Sequence, residues 1–408
     1  MPPFLYKIVE EKMDSFIFNL PTKIVFGKGE FSKLGEEAKK IGKKALLVTG
    51  KHFAKKSGLL EKAIKMLSDN GVEYVIFSEV GPNPESNTVD MGGKIAQENG
   101  VDFIIGIGGG SVIDASKGIA AVVVSGKPVW TYYERPPKEK VSYNALPILA
   151  VVTVAATGTE ANPTAVITNS TTREKRGMGA YPLYPKVSIV DPLLTLSTPS
   201  AQTAEGVIDM FIHVLESYLS SRASAPISDR ISEGLMKEAM KQGLLAFNDP
   251  SKIECRESLS WISTLALSGL PDAGRKGPFP IHALEHPISG IYPDISHGRG
   301  LAAIFPSYLY NTKDILSERL KLLGKELFST DSPLKAIERI IHWMKNMDLY
   351  CSLKNLGVKR EDLSRFADMA IADNGGKGIV YAREPLNKDT IMRIYETAFD
   401  YKDLFKKV

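Results

Sequence analysis

Between residue 16 and about residue 190, short apolar, β-branched runs alternate with stretches of helical period. Residues 16–20, 23–26, 45–49, 73–77 and 103–107 read as strands, and 32–41, 58–70 and 89–99 as helices. Several of these runs, such as ALLVT and FIIGI, are apolar at every position and are separated by whole helices, so they predict parallel strands under helical crossovers rather than hairpins. The expected first half is a doubly wound α/β layer with a mostly parallel sheet. From Pro199 onward, helix-period segments are punctuated by Pro and Gly with almost no strand-like runs, which predicts an all-α bundle. The texture changes across residues 191–199, DPLLTLSTP, so the expected units are 1–198 and 199–408. Neither unit contains an internal repeat or a low-complexity tract.

Composition leaves this picture intact. A chain of 408 residues, 43% hydrophobic and 24% charged, is that of an ordinary globular protein with room for two cores. The net charge of +4 is spread among interspersed acids and bases, and no basic stripe predicts a nucleic-acid partner. No apolar run reaches membrane-spanning length, and MPPFLYKIVEEKMDSF lacks an apolar core followed by a cleavage site. The expectation is a cytoplasmic protein with no membrane association. Cys255 and Cys351 form no CxxC and no disulfide framework, which fits a reducing compartment. Met13 reads as a natural start, making the first twelve residues an extension without catalytic importance.

The candidate chemistry is concentrated in two kinds of segment. Three of the six histidines, His282, His286 and His297, fall within IHALEHPISGIYPDISHG. The first two are one helical turn apart and share a face. Asp209 and His213 in GVIDMFIHVLES repeat the one-turn spacing. Imidazoles with one carboxylate suit iron or zinc better than magnesium or calcium, so the two segments together offer four candidate metal ligands. His52 in KHFAKK and His342 in IERIIHWMKNM have no such partners and read as structural or solvated. The other segments lie in the first half. After FIIGI come Gly108, Gly109, Gly110 and Ser111, then the helical VIDASKGIAAVVV. Side-chain-free residues at a helix start let backbone N–H groups approach a pyrophosphate. Ser111 and Asp114 are also suited to cap that helix, and Ser111 departs from a GxGxxG pattern. The turn TVAATGTE, from Thr153 to Glu160, offers hydroxyls for a ribose or a nicotinamide amide.

With GGGSVIDASK, TGTE, the Asp209-x-x-x-His213 pair and HALEHPISGIYPDISHG in this order, the chain resembles the iron-containing (group III) alcohol dehydrogenase family, and most of all its bacterial butanol dehydrogenase branch, from about Phe16 to the end. The resemblance implies a dinucleotide-binding domain followed by a helical metal-binding domain. It implies Asp209, His213, His282 and His297 as metal ligands, with His286 the non-ligand histidine near the nicotinamide and a proton relay. It also implies a pyrophosphate loop at Gly108 to Ser111, nicotinamide and ribose contacts from Thr153, Thr157 and Asn162, and an approach to the cofactor by Lys175, which on its own reads as a solvated hairpin tip. A homodimer is the assembly it implies.

Two departures from the family stand out. The interval from His286 to His297 is one residue longer, an insertion placed at Tyr292-Pro293 in a connection. Gly50, followed by Lys51, Lys55 and Lys56, stands where NAD-preferring relatives carry an Asp for the adenosine ribose. Loss of that carboxylate predicts NADP(H) over NAD(H). The expected activity is hydride transfer between nicotinamide and a small primary alcohol or aldehyde, assisted by Fe2+ or alternatively Zn2+. A zinc polyol dehydrogenase, a related lyase and a non-catalytic nucleotide- and metal-binding protein are the alternatives. The lyase would need a basic cluster at the metal, where only Arg275, Lys276 and Arg299 stand near the ligand motif.

Overall fold

The structure, a computed structural model, describes residues 12–135, 144–275 and 277–401. The N-terminal extension up to residue 11 and Lys276 lie outside the described residues.

Among the described residues, the first half is built on eight strands: β1 (Lys23–Phe26), β2 (Lys44–Gly50), β3 (Glu73–Val80), β4 (Phe103–Gly108), β5 (Ile148–Val152), β6 (Thr164–Thr168), β7 (Lys175–Gly179) and β8 (Val187–Val190). Six of them form one parallel sheet in the order β1-β8-β5-β4-β2-β3, and β6 and β7 pair as a separate antiparallel hairpin. The central strands β4, β5 and β8 are buried at every position, because helices cover both faces; this is why their sequences are apolar without alternation. From β2 the chain moves outward to β3, whereas from β4 it moves the other way to β5. A crevice therefore opens beyond the carboxyl ends of β2 and β4, the place where ligands bind in open α/β sheets.

The strand expected at residues 16–20 does not form. The segment has no regular structure and makes no ladder, since the sheet edge begins at Lys23; just before it, Asp14 N–H donates to the Gly274 carbonyl at 2.9 Å. The helix expected from residue 89 begins a turn earlier, at Ser86.

After β8, the Asp191 carboxylate caps a short turn by accepting from Leu193 N–H, and the helix Ser200–Ser220 begins. It is buried almost all round because the helices Pro226–Asn248, Ile253–Ala266, Pro280–Ile291 and His297–Thr312 pack about it. Phe211, Leu215, Leu284, Leu301 and Phe305 belong to the apolar core they share. The second half is mostly helical rather than all-α: Ile379–Val380 and Leu386–Asn387 pair as a short antiparallel ribbon. Among the described residues, no helix is long and apolar enough to cross a membrane.

Candidate active site

Asp209 and His213 project one turn apart from the buried helix Ser200–Ser220, His282 comes from the first turn of Pro280–Ile291, and His297 opens the next helix, whose start Ser296 caps by accepting from Arg299 N–H. The Asp209 carboxylate is the centre of the group. Its Oδ1 lies 3.4 Å from His213 Nδ1, 3.4 Å from His282 Nε2 and 3.8 Å from His297 Nε2. Donors about 2.0–2.1 Å from a tetrahedral metal stand about 3.4 Å apart along each edge, so the spacing fits a single ion. Buried His213 Nδ1 has no hydrogen-bond partner among the described residues, which a coordinated cation would supply.

A layer of carboxylates behind the histidines fixes this geometry. Glu216, fully buried on the same helix as Asp209, meets His282 Nδ1 through Oε2, while its Oε1 accepts from the backbone N–H of Ile281 and, at 3.2 Å, of His282. Glu285 Oε2 meets His297 Nδ1 and lies 3.8 Å from the Lys175 ammonium. In each case the carboxylate takes the Nδ1 proton, which leaves the Nε2 lone pair facing Asp209. With the histidines neutral, as ligation requires, Asp209, Glu216 and Glu285 against Lys175 give a local charge of −3 + 1 = −2, the complement of a divalent cation.

The titration behaviour has the same origin. Burial opposes charge on His282, but Glu216 and Asp209 outweigh it and raise the imidazole to about 10. Burial also opposes charge on Glu285, but His297 and Lys175 hold it down at about 2. Burial lowers His213 to about 3. It holds His286 well below the ordinary histidine range with help from Lys175, so this ring is neutral. Glu285, His286 and His297 form a second group within ligand reach of one another. With Lys175 beside Glu285 and Glu285 already engaged with His297, we read that group as a hydrogen-bonded support for the first ion.

A cleft of about 590 Å³ joins this cluster to the sheet crevice. At one end it is lined by Gly50 and Lys51 after β2, in the middle by Gly108, Gly109, Gly110 and Ser111 after β4 with Thr153 and Thr157 after β5, and at the other end by Asp209 and His297. Helix Gly110–Ser125 starts at the glycines, and the first amide engaged within it is that of Val112, which donates to the Gly109 carbonyl at 3.0 Å. The amides of Gly110 and Ser111 precede it at the positive helix end. A smaller cavity of about 120 Å³ lies against His213, His282, His286 and Lys175, with Pro84, Val166 and Leu267 as apolar walls.

Some expected contacts have another geometry. Both Asp114 oxygens are occupied, by Thr159 Oγ1 at 2.5 Å and Val166 N–H at 3.0 Å. Asn162 Nδ2 donates to the Gly158 carbonyl and its Oδ1 accepts from Thr164 N–H; both residues touch the smaller cavity but hold the 158–166 turn in shape. Lys175 is not a solvated tip: its Nζ donates to Asn83 Oδ1 and Ser289 Oγ, each at 2.9 Å. Lys55 and Lys56 are exposed and outside the cleft lining, whereas His52, read as solvated, stands on the lining beside Lys51. Arg275 and Arg299 are engaged with Asp229 and Glu205, so neither brings free positive charge to the cluster.

The sequence reading missed Glu216, Glu285 and Lys117. Glu216 was detectable, since it follows Asp209 and His213 on one face at helical spacing. Lys117 carries no such signal. It is fully buried, and its Nζ donates to the carbonyls of Thr159, Asn162 and Thr164 at 2.7, 2.9 and 2.7 Å and to Thr159 Oγ1 at 2.6 Å. Burial lowers it to about 8 against the pull of Asp114 and Glu160. It moulds the turn that faces the cleft.

The chain is similar to known proteins over most of its length. Residues 21–192 match the family model described as iron-containing alcohol dehydrogenase, and residues 203–399 match that of the Fe-containing alcohol dehydrogenase family, C-terminal. NADH-dependent butanol dehydrogenase A of Clostridium acetobutylicum is 34% identical over 95% of this chain and 100% of its own. NADPH-dependent aldehyde reductase YqhD of Escherichia coli is 32% identical over 76% of this chain and 79% of its own. The crystal structure of NADH-dependent butanol dehydrogenase A from Thermotoga maritima superposes with a TM-score of 0.91 at 34% identity, covering 96% of this chain and 100% of that one.

Proposed function

The chain belongs to the iron-containing alcohol dehydrogenase family, oxidoreductases that interconvert alcohols and aldehydes with a nicotinamide cofactor, and from that premise we propose that it reduces small primary aldehydes, and oxidises the alcohols, with NADP(H) preferred and ferrous iron, or zinc in its place, held by Asp209, His213, His282 and His297. The observation that carries this reading is the continuous cleft from Gly50 and the glycine turn to Asp209 and His297. When bound, the metal supplies Lewis acidity toward the substrate oxygen and the nicotinamide supplies or accepts the hydride.

The protein's own residues do the rest. Gly108 to Ser111 receive the pyrophosphate with backbone amides, while Thr153 and Thr157 direct the nicotinamide end toward the ligand cluster. Pro84, Val166 and Leu267 exclude water from the smaller cavity, whose size suits a short carbon chain. His286 gives up or takes the proton of the alcohol oxygen through its ring. Neutral at ordinary pH, it accepts a proton in oxidation and returns it in reduction. The α/β and helical units expected from the sequence, 1–198 and 199–408, divide this labour between cofactor and metal.

The cofactor choice rests on Gly50. A Cβ there would meet only the Val80 carbonyl at 3.6 Å and Val112 Cγ2 at 3.8 Å, so the position has room for a carboxylate and lacks one. Lys51 and His52 flank it, and the acidic lining residues, Glu205 and Asp209, lie with His297. A 2′-phosphate meets no negative charge at the β2 end. Gly50→Asp raises the KM for NADPH about tenfold or more and lowers that for NADH. A preference for NADPH unchanged in this variant removes the assignment. A homodimer fits the exposed apolar segment beside the sheet edge, where Phe16, Ile17 and Phe18 are 50%, 95% and 47% exposed; sedimentation of the protein at micromolar concentration checks it. Two free cysteines, Cys255 and Cys351, fit a cytoplasmic enzyme.

Metal-stripped protein reloaded separately with ferrous iron and zinc, then assayed with butanal and each nicotinamide, tests the whole reading. Metal-dependent oxidation of NADPH is the expected result. Silence with every metal and both cofactors overturns it.

A further inference from the structure

His286 lines two cavities, the smaller one beside the metal ligands and a minute one of about 10 Å³ on its other side. The minute cavity is bounded by β7 through Glu174, Lys175 and Arg176, by the ligand helix through Ala283, His286 and Pro287, and by the helix Leu363–Asp373 through Met369 and Asp373. Three of these side chains carry a buried polar atom without a hydrogen bond: His286 Nδ1, Arg176 Nε and Asp373 Oδ1. Asp373 Oδ1 lies 3.5 Å from Nε of both Arg176 and Arg135, an ionic contact with no hydrogen bond to either. Buried unsatisfied polar atoms are rare, and several meeting at one space call for a shared partner. A space of about 10–15 Å³ holds one water, which needs two to four polar partners.

We propose that one ordered water in this cavity joins His286 to Asp373 and Arg176, making Asp373 a positioning residue for the histidine that faces the substrate. The chemistry of the three partners dictates the arrangement. The guanidinium N–H can only donate and the carboxylate can only accept, so the water accepts from Arg176 and donates to Asp373. One hydrogen and one lone pair of the water remain. It can donate to a bare Nδ1 or accept from a protonated one. A side chain in its place would satisfy one state of the ring and oppose the other. The water therefore holds the ring in place while leaving its protonation free, as a residue that both takes and returns a proton requires.

The inference rests on the reading of His286 as the proton carrier, and the two can be separated. In a high-resolution crystal structure of the metal- and NADPH-loaded enzyme, density for a water within hydrogen-bond distance of His286 Nδ1 and Asp373 is expected, and its absence overturns the inference. Asp373→Leu removes the acceptor and fills the space with methyl groups. It is expected to lower kcat for butanal roughly tenfold or more, as when the partner of a functional histidine is lost, with the KM for NADPH unchanged. Asp373→Asn keeps an acceptor oxygen and retains most of the rate. Arg135→Ala breaks the outer ion pair and the donation from its Nη2 to the Gly177 carbonyl, neither of which involves His286, and leaves kcat near wild type. Full turnover in Asp373→Leu, or equal losses in all three variants, overturns the junction. Full turnover in His286→Ala overturns the proton-carrier reading and the junction with it, whereas a slow His286→Ala beside a fully active Asp373→Leu overturns the junction alone.

Discussion

The two walls of the cleft are made from different materials. The sheet wall offers backbone: glycines after β4 and the end of β2, where the chemistry depends on what is missing from the side chains. The helical wall offers side chains, an Asp and three His from three helices, each ring held from behind by packing or by a buried carboxylate. A backbone cradle is fixed by turn geometry over a few consecutive residues. A side-chain cluster is fixed only when distant helices dock and a supporting layer orients every ring. The two walls should therefore fail separately.

The largest effect is expected from cutting the centre of the helical wall. Asp209→Ala removes the one carboxylate that His213, His282 and His297 all approach. Lewis-acid catalysis contributes several kcal/mol, so turnover is expected to fall by about 10³-fold or more, with metal lost as read by elemental analysis. NADPH binding, measured by fluorescence titration, is expected to change little, because its cradle lies on the other wall. Loss of NADPH affinity in step with the metal would make the walls a single unit and break the distinction.

The same contrast governs what was legible in the sequence. The buried strands announced themselves as apolar runs, because burial on both faces removes all alternation, and the glycine turn was visible because consecutive residues form it. Asp209 with His213, and His282 with His286, were visible because one-turn spacing puts each pair on one helix face, and His297 because it crowds the same short segment. Residues 16–20 looked like a strand because propensity is local, while a strand also needs a neighbour, and none lies beside them among the described residues. The early start of the helix at Ser86 follows the turn Gly81-Pro82-Asn83-Pro84, where Asn83 adopts a left-handed φ of 48°; these turn residues were a local signal that the apolar periodicity did not carry. Lys117, Glu285 and Asp373 were hidden for a different reason. A lysine, a glutamate and an aspartate in helices read as solvated faces, and only the docked structure turns them inward.

A smaller effect is expected from Glu216→Gln, which tests whether the supporting layer matters. The Glu216 carboxylate accepts the Nδ1 proton of His282. An amide nitrogen facing Nδ1 would donate instead and push the ring proton onto Nε2, the nitrogen that faces Asp209. Such outer partners are worth roughly 10–100-fold in metal affinity. Competition with a chelator should show this loss, with turnover restored at saturating metal and the KM for NADPH unchanged. Affinity equal to wild type would mean that helix packing alone orients the ring.

The smallest effect, and the one that probes the backbone wall, comes from a single methyl group. A Cβ at Gly110 would lie 2.6 Å from Thr157 Cγ2 and 2.7 Å from its Oγ1, too close for either to remain in place. Thr157 belongs to the turn that Lys117 moulds from within, so it cannot yield freely and the glycine turn must shift. Overpacking of this kind costs about 1–3 kcal/mol, and if about half falls on the bound cofactor, the KM for NADPH rises roughly two- to tenfold. Metal content should stay at the wild-type level, the reverse of Asp209→Ala. Gly109→Ala is the internal control: its Cβ would meet Val154 at 3.4 Å, an ordinary contact, so a loss as large as that of Gly110→Ala would show that the cofactor needs the bare backbone at Gly109 itself, and not merely an undisturbed turn.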